Sequence, residues 1–344
     1  MNALSVNSNE KETALVINEP KPISKWKRYL LPGSLLGCIV TLMLIAICVY
    51  FSRSPKLFDV ETKAMTMAGA EAGPLKPGYR TTAAIYQISE TLLNKPGGYL
   101  TNDVMPPSVF LDNMPSWEFG VITELRDAVR SLRNDFSRAQ SQSLEDQDLM
   151  IADSQFHFDH TRFMLPSTED EFAKGQAALQ RYIDRLQKGE AQFFNRVDNL
   201  NFYLATVEKR LGSLSHRLSN SVRESYLREL IYENEDDLVE VIDPTPWNRI
   251  DNNFFEARGY IWALIHTLRG VQVDFDAVLK SKNASEMLER IVKKLENAQR
   301  AITSPVIFNS SGFGILTNHS LVVASYISRA NAAIIDLRRS LEEG

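Results

Sequence analysis

Chemistry in this chain has few places to reside. The stretch "DSQFHFDHTRF" sets His157 and His160 three residues apart with Asp153 and Asp159 beside them. Imidazole and carboxylate are the ligand types for zinc or another metal of the N/O class, and positions i and i+3 share one face of a helix. A metal-assisted hydrolase built on His157, Asp159 and His160 is therefore the enzymatic alternative. It lacks the glutamate general base of a zincin helix, and its third ligand, Asp153 or His319, would have to be brought up by the fold. Histidines on a helix surface or core edge are the simpler reading.

Other candidates are weaker. The pair Gly312 and Gly314 in "GFG" has neither a third glycine nor a preceding strand, so it does not read as a dinucleotide fingerprint. The run Glu233, Glu235, Asp236, Asp237 and Glu240 lacks the alternating ligands and central glycine of a calcium loop, and reads as a solvated acidic turn. "SRAQSQS", Ser137–Ser143, carries hydroxyls without a nucleophile elbow or a Ser-x-x-Lys pair. No catalytic set converges, no small-molecule substrate is identified and no cofactor is expected. With 38 Lys plus Arg against 43 Asp plus Glu, the net charge of −5 leaves no basic footprint for nucleic acid.

The elements around these residues say more. From Leu30 to Phe51 the chain reads "LLPGSLLGCIVTLMLIAICVYF", about 22 residues without a charge, enough to cross the ~30 Å hydrocarbon core. Trp26, Tyr29, Tyr50 and Phe51 stand where interfacial aromatics belong. The run is too long for a cleaved signal and has no small-residue site after it. "LLGC" resembles a lipobox, but an apolar run rather than a polar tether follows Cys38. Both cysteines, Cys38 and Cys48, lie inside this run, so the rest of the chain has no disulfide framework. Lys21, Lys25, Lys27 and Arg28 precede the span, against the more dispersed Arg53, Lys56 and Lys63 after it. That bias orients the N-terminus to the cytoplasm and the bulk of the chain to the periplasm, in a bacterial inner membrane.

The expected organisation is a disordered cytoplasmic tail over 1–28, a transmembrane helix over 29–51, a linker over 52–78 rich in small residues, and a periplasmic α-helical domain over 79–344. The fold class is all-α: one membrane helix followed by an elongated helical bundle with long helical hairpins. Ile85, Ile88 and Leu92 mark a first helix, and Trp117, Val121, Leu125, Val129, Leu132 and Phe136 a second that begins near Ser116. Thr168 with Glu171, and Asn283 with Glu286, have capping-box spacing. From Phe193 through Val197, Leu200, Leu204, Val207, Leu211, Leu214 and Leu218 the steps alternate four and three, a seam for a partner helix. The expected partner is intrachain and antiparallel, the helix from Phe172 or the one through Trp262, after a break near 188–190; a parallel dimer is the alternative.

Between the first two helices, "NKPGGYLTNDVMPPSVFLDNMPSWEFG" is a loop of unusual apolarity. Gly97 and Gly98 allow a sharp turn, Pro106 and Pro107 stiffen the path, and Tyr99 and Trp117 supply contact area, with Asn102 and Asp103 between. Such a segment either binds a partner or clamps the end of its own bundle. Together with "LRDAVR", "SRAQSQS" and the single N-terminal span, its words "PGGYLTND", "PP" and "LDNMPSWEFG" give a chain that resembles a family of uncharacterised proteobacterial inner-membrane proteins catalogued as a domain of unknown function. The resemblance implies a Gram-negative envelope setting and carries over no catalytic residue, substrate or cofactor. The function expected is that of a membrane-anchored, non-enzymatic envelope protein. Its partners are the membrane and either other envelope proteins or a second copy of itself.

Overall fold

Repeated 3.6-residue apolar patterning, without any sustained alternation, builds helices throughout. The computed structural model describes residues 25–70, 73–139, 144–220, 245–302, 307–309 and 317–343, and among these there are eleven α-helices and no strand. The acidic run at 233–240, "GFG" at 312–314, residues 140–143 of the serine-rich segment and residues 1–24 of the expected tail lie outside the described residues.

The chain divides into two units, 1–46 and 47–344. The first holds most of α1, Lys25–Phe51. Its window Ser34–Phe51 is long and apolar enough to cross a membrane, and none of that window is buried by the protein.

The second unit contains the last turn of α1, then α2 (Val60–Ala68), α3 (Tyr79–Asn94), α4 (Asn113–Ser131), α5 (Gln147–Phe156), α6 (Thr168–Lys188), α7 (Val197–Ser219), α8 (Ile250–Asp274), α9 (Asp276–Ser281), α10 (Ser285–Ala298) and α11 (His319–Glu343). Its centre is the pair α4 and α8. A Cβ on Gly120 would lie 2.0 Å from the Glu256 carbonyl oxygen, and one on Gly259 would lie 1.9 Å from that of Trp117. The two helix backbones touch because neither position carries a side chain. Trp117 and Trp262 fill the space beside that crossing with ring centroids 5.2 Å apart. Helices α3, α10 and α7 pack around α8, which is buried on every side from Ala257 to Leu268.

Several local expectations change. The segment 52–78 is not a slack linker: Asp59 caps α2 by accepting from Thr62 N at 2.7 Å, and Val60 and Ala64 enter the core. Helix α4 starts at Asn113 rather than near Ser116, since Pro115 fits a first helical turn, where its missing N–H costs nothing. Ser167 caps α6, because the Thr168 hydroxyl is spent on the carbonyl oxygens of Asp159 and Arg162. Asn283 sits in a turn at φ 52°, and α10 begins only at Ser285. The break near 188–190 is present, with α6 ending at Gly189.

The seam partner differs too. Leu200, Leu204, Val207, Leu211, Leu214 and Leu218 are buried, Val197 is half-buried at the start of α7, and Phe193 precedes the helix and packs with Phe136 and Phe275. The helix running antiparallel along α7 is α11, not α6 or α8: Asn201 bonds Glu342 at one end and Ser215 the Ala324 carbonyl at the other. Helix α11 offers the complementary stripe Val323, Ile327, Ala330, Ile334, Leu337 and Leu341. Its alanine lets the two helices approach, and Arg338 bridges to Asn201 and Glu208 along the edge.

Candidate functional site

The apolar loop has two halves with different duties. After Lys95, which ends α3, Gly97 (φ 89°) and Gly98 (φ 72°) reverse the chain. The carboxylate of Glu118 on α4 then gathers the turn: it accepts from Leu100 N at 2.9 Å, Thr101 N at 2.8 Å and Thr101 Oγ1 at 2.5 Å, and pairs with the Lys95 ammonium, which also donates to the Gly98 carbonyl. Burial pushes the Glu118 carboxyl up, and Lys95 with the Thr101 and Leu100 donors pulls it back. Tyr99 donates to the His160 carbonyl at 2.7 Å, and Asn102 Nδ2 to the Arg162 carbonyl and to Glu169. Tyr99, Asn102 and Trp117 are thus buried against their own chain. Gly97 and Pro106 are exposed, Gly98, Asp103 and Pro107 half-buried. Beyond Asp103 the loop turns outward.

The histidines do not assemble a metal centre. Arg130 Nη2 lies 2.6 Å from His157 Nε2, and His157 Nδ1 lies 2.8 Å from the Asp153 carbonyl and 3.1 Å from its carboxylate. An arginine donor on Nε2 requires the lone pair a metal would need. The Asp159 carboxylate accepts from Thr161 N and Oγ1, and His160 packs on Phe119, its pKa lowered by burial and by Arg126. Among the described residues no three His, Cys, Asp or Glu are grouped to hold a metal ion. The metal-assisted alternative fails on this geometry, and His319 is engaged with Phe308.

The concavity that does form lies where the chain leaves α1. Trp262 Nε1 donates to the Lys56 carbonyl at 3.3 Å, and His266 Nε2 accepts from Phe58 N at 3.0 Å while its Nδ1 faces the Trp262 carbonyl at 2.6 Å. The Phe58 ring stacks on the imidazole at 3.8 Å. Burial drives His266 down to about 3, so it stays neutral and can accept. Held in this way, Ser52–Leu57 forms one wall of a cleft of about 900 Å³, with α8 and the end of α10 opposite. Arg53, Lys56, Arg258 and Arg300 line it together with Phe255 and Ile302. Arg258 donates to the carbonyls of Ala298, Gln299 and Arg300, closing the C-terminus of α10. Of the two lining carboxylates, Asp251 and Glu296, the second is paired with Arg269. The cleft is cationic on an apolar floor, suited to an anionic group carried on an apolar body.

Arg53 and Lys56 counted in sequence only as cations flanking the span and Trp262 only as a helix marker; none of the lining residues pointed to a cleft, because it joins segments about 200 residues apart and neither segment bears a local motif.

Two further buried acids make hydrogen bonds within the core. Glu124 accepts from Tyr203 at 2.6 Å beside Tyr260, and burial raises it to about 8. Asp274 accepts from Thr81 N and Oγ1, both at 2.7 Å, and is raised by burial to about 6.

No curated protein and no solved structure matches this chain. One family model does, over residues 24–344, from the start of the apolar helix to the C-terminal glycine. The chain therefore belongs to the bacterial family described as an uncharacterized protein conserved in bacteria (DUF2333).

Proposed function

We propose that the protein is a membrane-anchored, non-enzymatic envelope protein of the bacterial inner membrane, whose periplasmic helical domain binds or scaffolds another envelope component. The observation that carries this reading is the cationic, apolar-floored cleft at the exit of α1, held open by the bonds of Lys56 and Phe58 to α8. A docking place so close to the span would serve a partner that is itself at or in the membrane. Among the described residues lining the cleft, no nucleophile, base and oxyanion donor converge, which favours binding over turnover. The lysine and arginine bias before the span supports the periplasmic orientation.

Photo-crosslinking tests the binding. A benzoylphenylalanine at Ile302, inside the cleft, is expected to yield a discrete adduct in intact cells that is lost when Arg53→Glu and Lys56→Glu are added. One at Lys174, exposed on α6, should give none. The absence of any Ile302 adduct would overturn the reading. Alkaline phosphatase fused after Gly344 is expected to be active and one fused before Lys21 inactive; the reverse pattern would overturn the orientation.

A further inference from the structure

We infer that the loop Val104–Leu111 is a second membrane contact, a wedge that enters the headgroup boundary of the bilayer beside the last turn of α1. The inference rests on the membrane-spanning reading of α1.

The eight residues "VMPPSVFL" carry no charge, and are flanked by Asp103 and Asp112. Four of their side chains stand in the open: Val104 at 59%, Met105 at 69%, Val109 at 50% and Phe110 at 71%. Soluble surfaces scatter such side chains, whereas here four fall within seven residues of one stiffened loop. Their exposure is a held state. The buried Lys95 and Glu118 pair fixes the chain on the N-terminal side, Met114 and Trp117 anchor it on the C-terminal side, and the 3₁₀ turn Ser108–Phe110 sets the wedge between.

What covers this patch follows from where it is held. The Pro107 carbonyl lies 4.0 Å from Cys48 Sγ, and the Gly97 turn rests on the Phe51 ring, where an added Cβ would meet Cγ at 2.9 Å. Cys48 is three residues before the end of the apolar window Ser34–Phe51, about 4.5 Å inside it at 1.5 Å per residue. The loop therefore stands level with the last turn of the span, in the layer where Tyr50 and Phe51 meet the interface. Amphipathic elements that lie in this layer sink their apolar face about 5–10 Å into it. The cations Arg53 and Lys56 come just after it in the chain, where anionic headgroups would meet them.

The test uses the full-length chain with Cys38→Ser and Cys48→Ser, reconstituted one molecule per lipid nanodisc, which removes a second copy as the covering surface. A single cysteine is introduced by Phe110→Cys and labelled with an environment-sensitive nitrobenzoxadiazole probe. Leu42→Cys reports the span and Lys174→Cys reports water. Nitroxide-labelled lipids and aqueous iodide are the quenchers. The expected result is a blue-shifted Phe110→Cys probe quenched by nitroxide lipid to a degree approaching Leu42→Cys, and protected from iodide relative to Lys174→Cys. A probe at Phe110→Cys that iodide quenches as fully as at Lys174→Cys overturns the wedge. So does one protected from both quenchers, which would mean protein covers it. Failure of lipid quenching at Leu42→Cys would instead overturn the spanning reading, so the two failures are distinguishable.

Discussion

Lys95 and Glu118 form an ion pair inside the fold, with side chains 1% and 0% exposed, and the whole reversal after α3 is organised on it. Removing one partner leaves the other charge buried and uncompensated, at a typical cost of ~3–5 kcal/mol. Lys95→Met alone is expected to lower the unfolding free energy obtained from urea titration by that amount. The double variant Lys95→Met with Glu118→Leu should recover part of it. Additive losses in the double variant would show that the pair is not coupled.

The α4 and α8 crossing predicts a contrast between glycines. Gly120→Ala or Gly259→Ala must push two backbones apart, against contacts of 2.0 and 1.9 Å, and is expected to destabilise by about 1–3 kcal/mol or more. Gly212→Ala on α7 meets nothing nearer than Asn331 Nδ2 at 3.6 Å and should gain about 0.5–1 kcal/mol from helix propensity. Thermal denaturation of the three variants in one detergent checks the order.

Glu124 makes stability fall with rising pH. Its folded pKa is raised to about 8 from the ordinary 4.5, so the native state holds the extra proton between those values. The contribution is complete below about 4.5 and is lost as pH rises through about 8, with a limiting slope of ~1.4 kcal/mol per pH unit. Tyr203 from α7, Tyr260 and Thr267 from α8 and Asp127 on α4 surround it. Glu124→Gln is expected to flatten the wild-type decline between pH 5 and 8 in urea titrations. An unchanged slope would mean that the acid is ionised in the fold.

His266 acts in the opposite sense. Its folded pKa is depressed to about 3, so its contribution is present above about 6.5 and is lost as pH falls towards 3. Protonation removes the lone pair that accepts from Phe58 N. Amide exchange at Phe58, corrected for the intrinsic rate, should therefore quicken on acidification below about pH 6. The Asp59 cap at Thr62 is the comparison, and equal protection at Phe58 from pH 7 to 4 would refute the assignment.

The sequence showed the helices and the apolar span directly, because both are repeats within one element. Leu200 through Leu218 could be assigned to a buried stripe before any partner was known. The partner is α11 rather than the expected helix, although Val323, Ile327, Ala330, Ile334, Leu337 and Leu341 show the same alternating steps. Arg329 and Asp336 interrupt the apolar run of that segment and lie on its outer face. The loop words were legible as a unit, but not their division at Asp103, since that depends on Glu118, Arg162 and Glu169 reaching the turn from other helices. The cleft was not legible at all. Arg53 and Arg300 are ordinary surface cations until the fold makes them neighbours.

The bonded exit from α1 also has a mechanical meaning. Only eight residues separate Phe51 from Val60, and two of them, Lys56 and Phe58, are fastened to Trp262 and His266 on the most enclosed helix of the domain. A pull on the last turn of α1 would load α8 through two hydrogen bonds and a stacked ring, and from there α4 through the glycine crossing. With α1 in a bilayer, as proposed above, tension, tilt or torque there would be passed towards the tryptophan pair at the centre of the domain through these bonds.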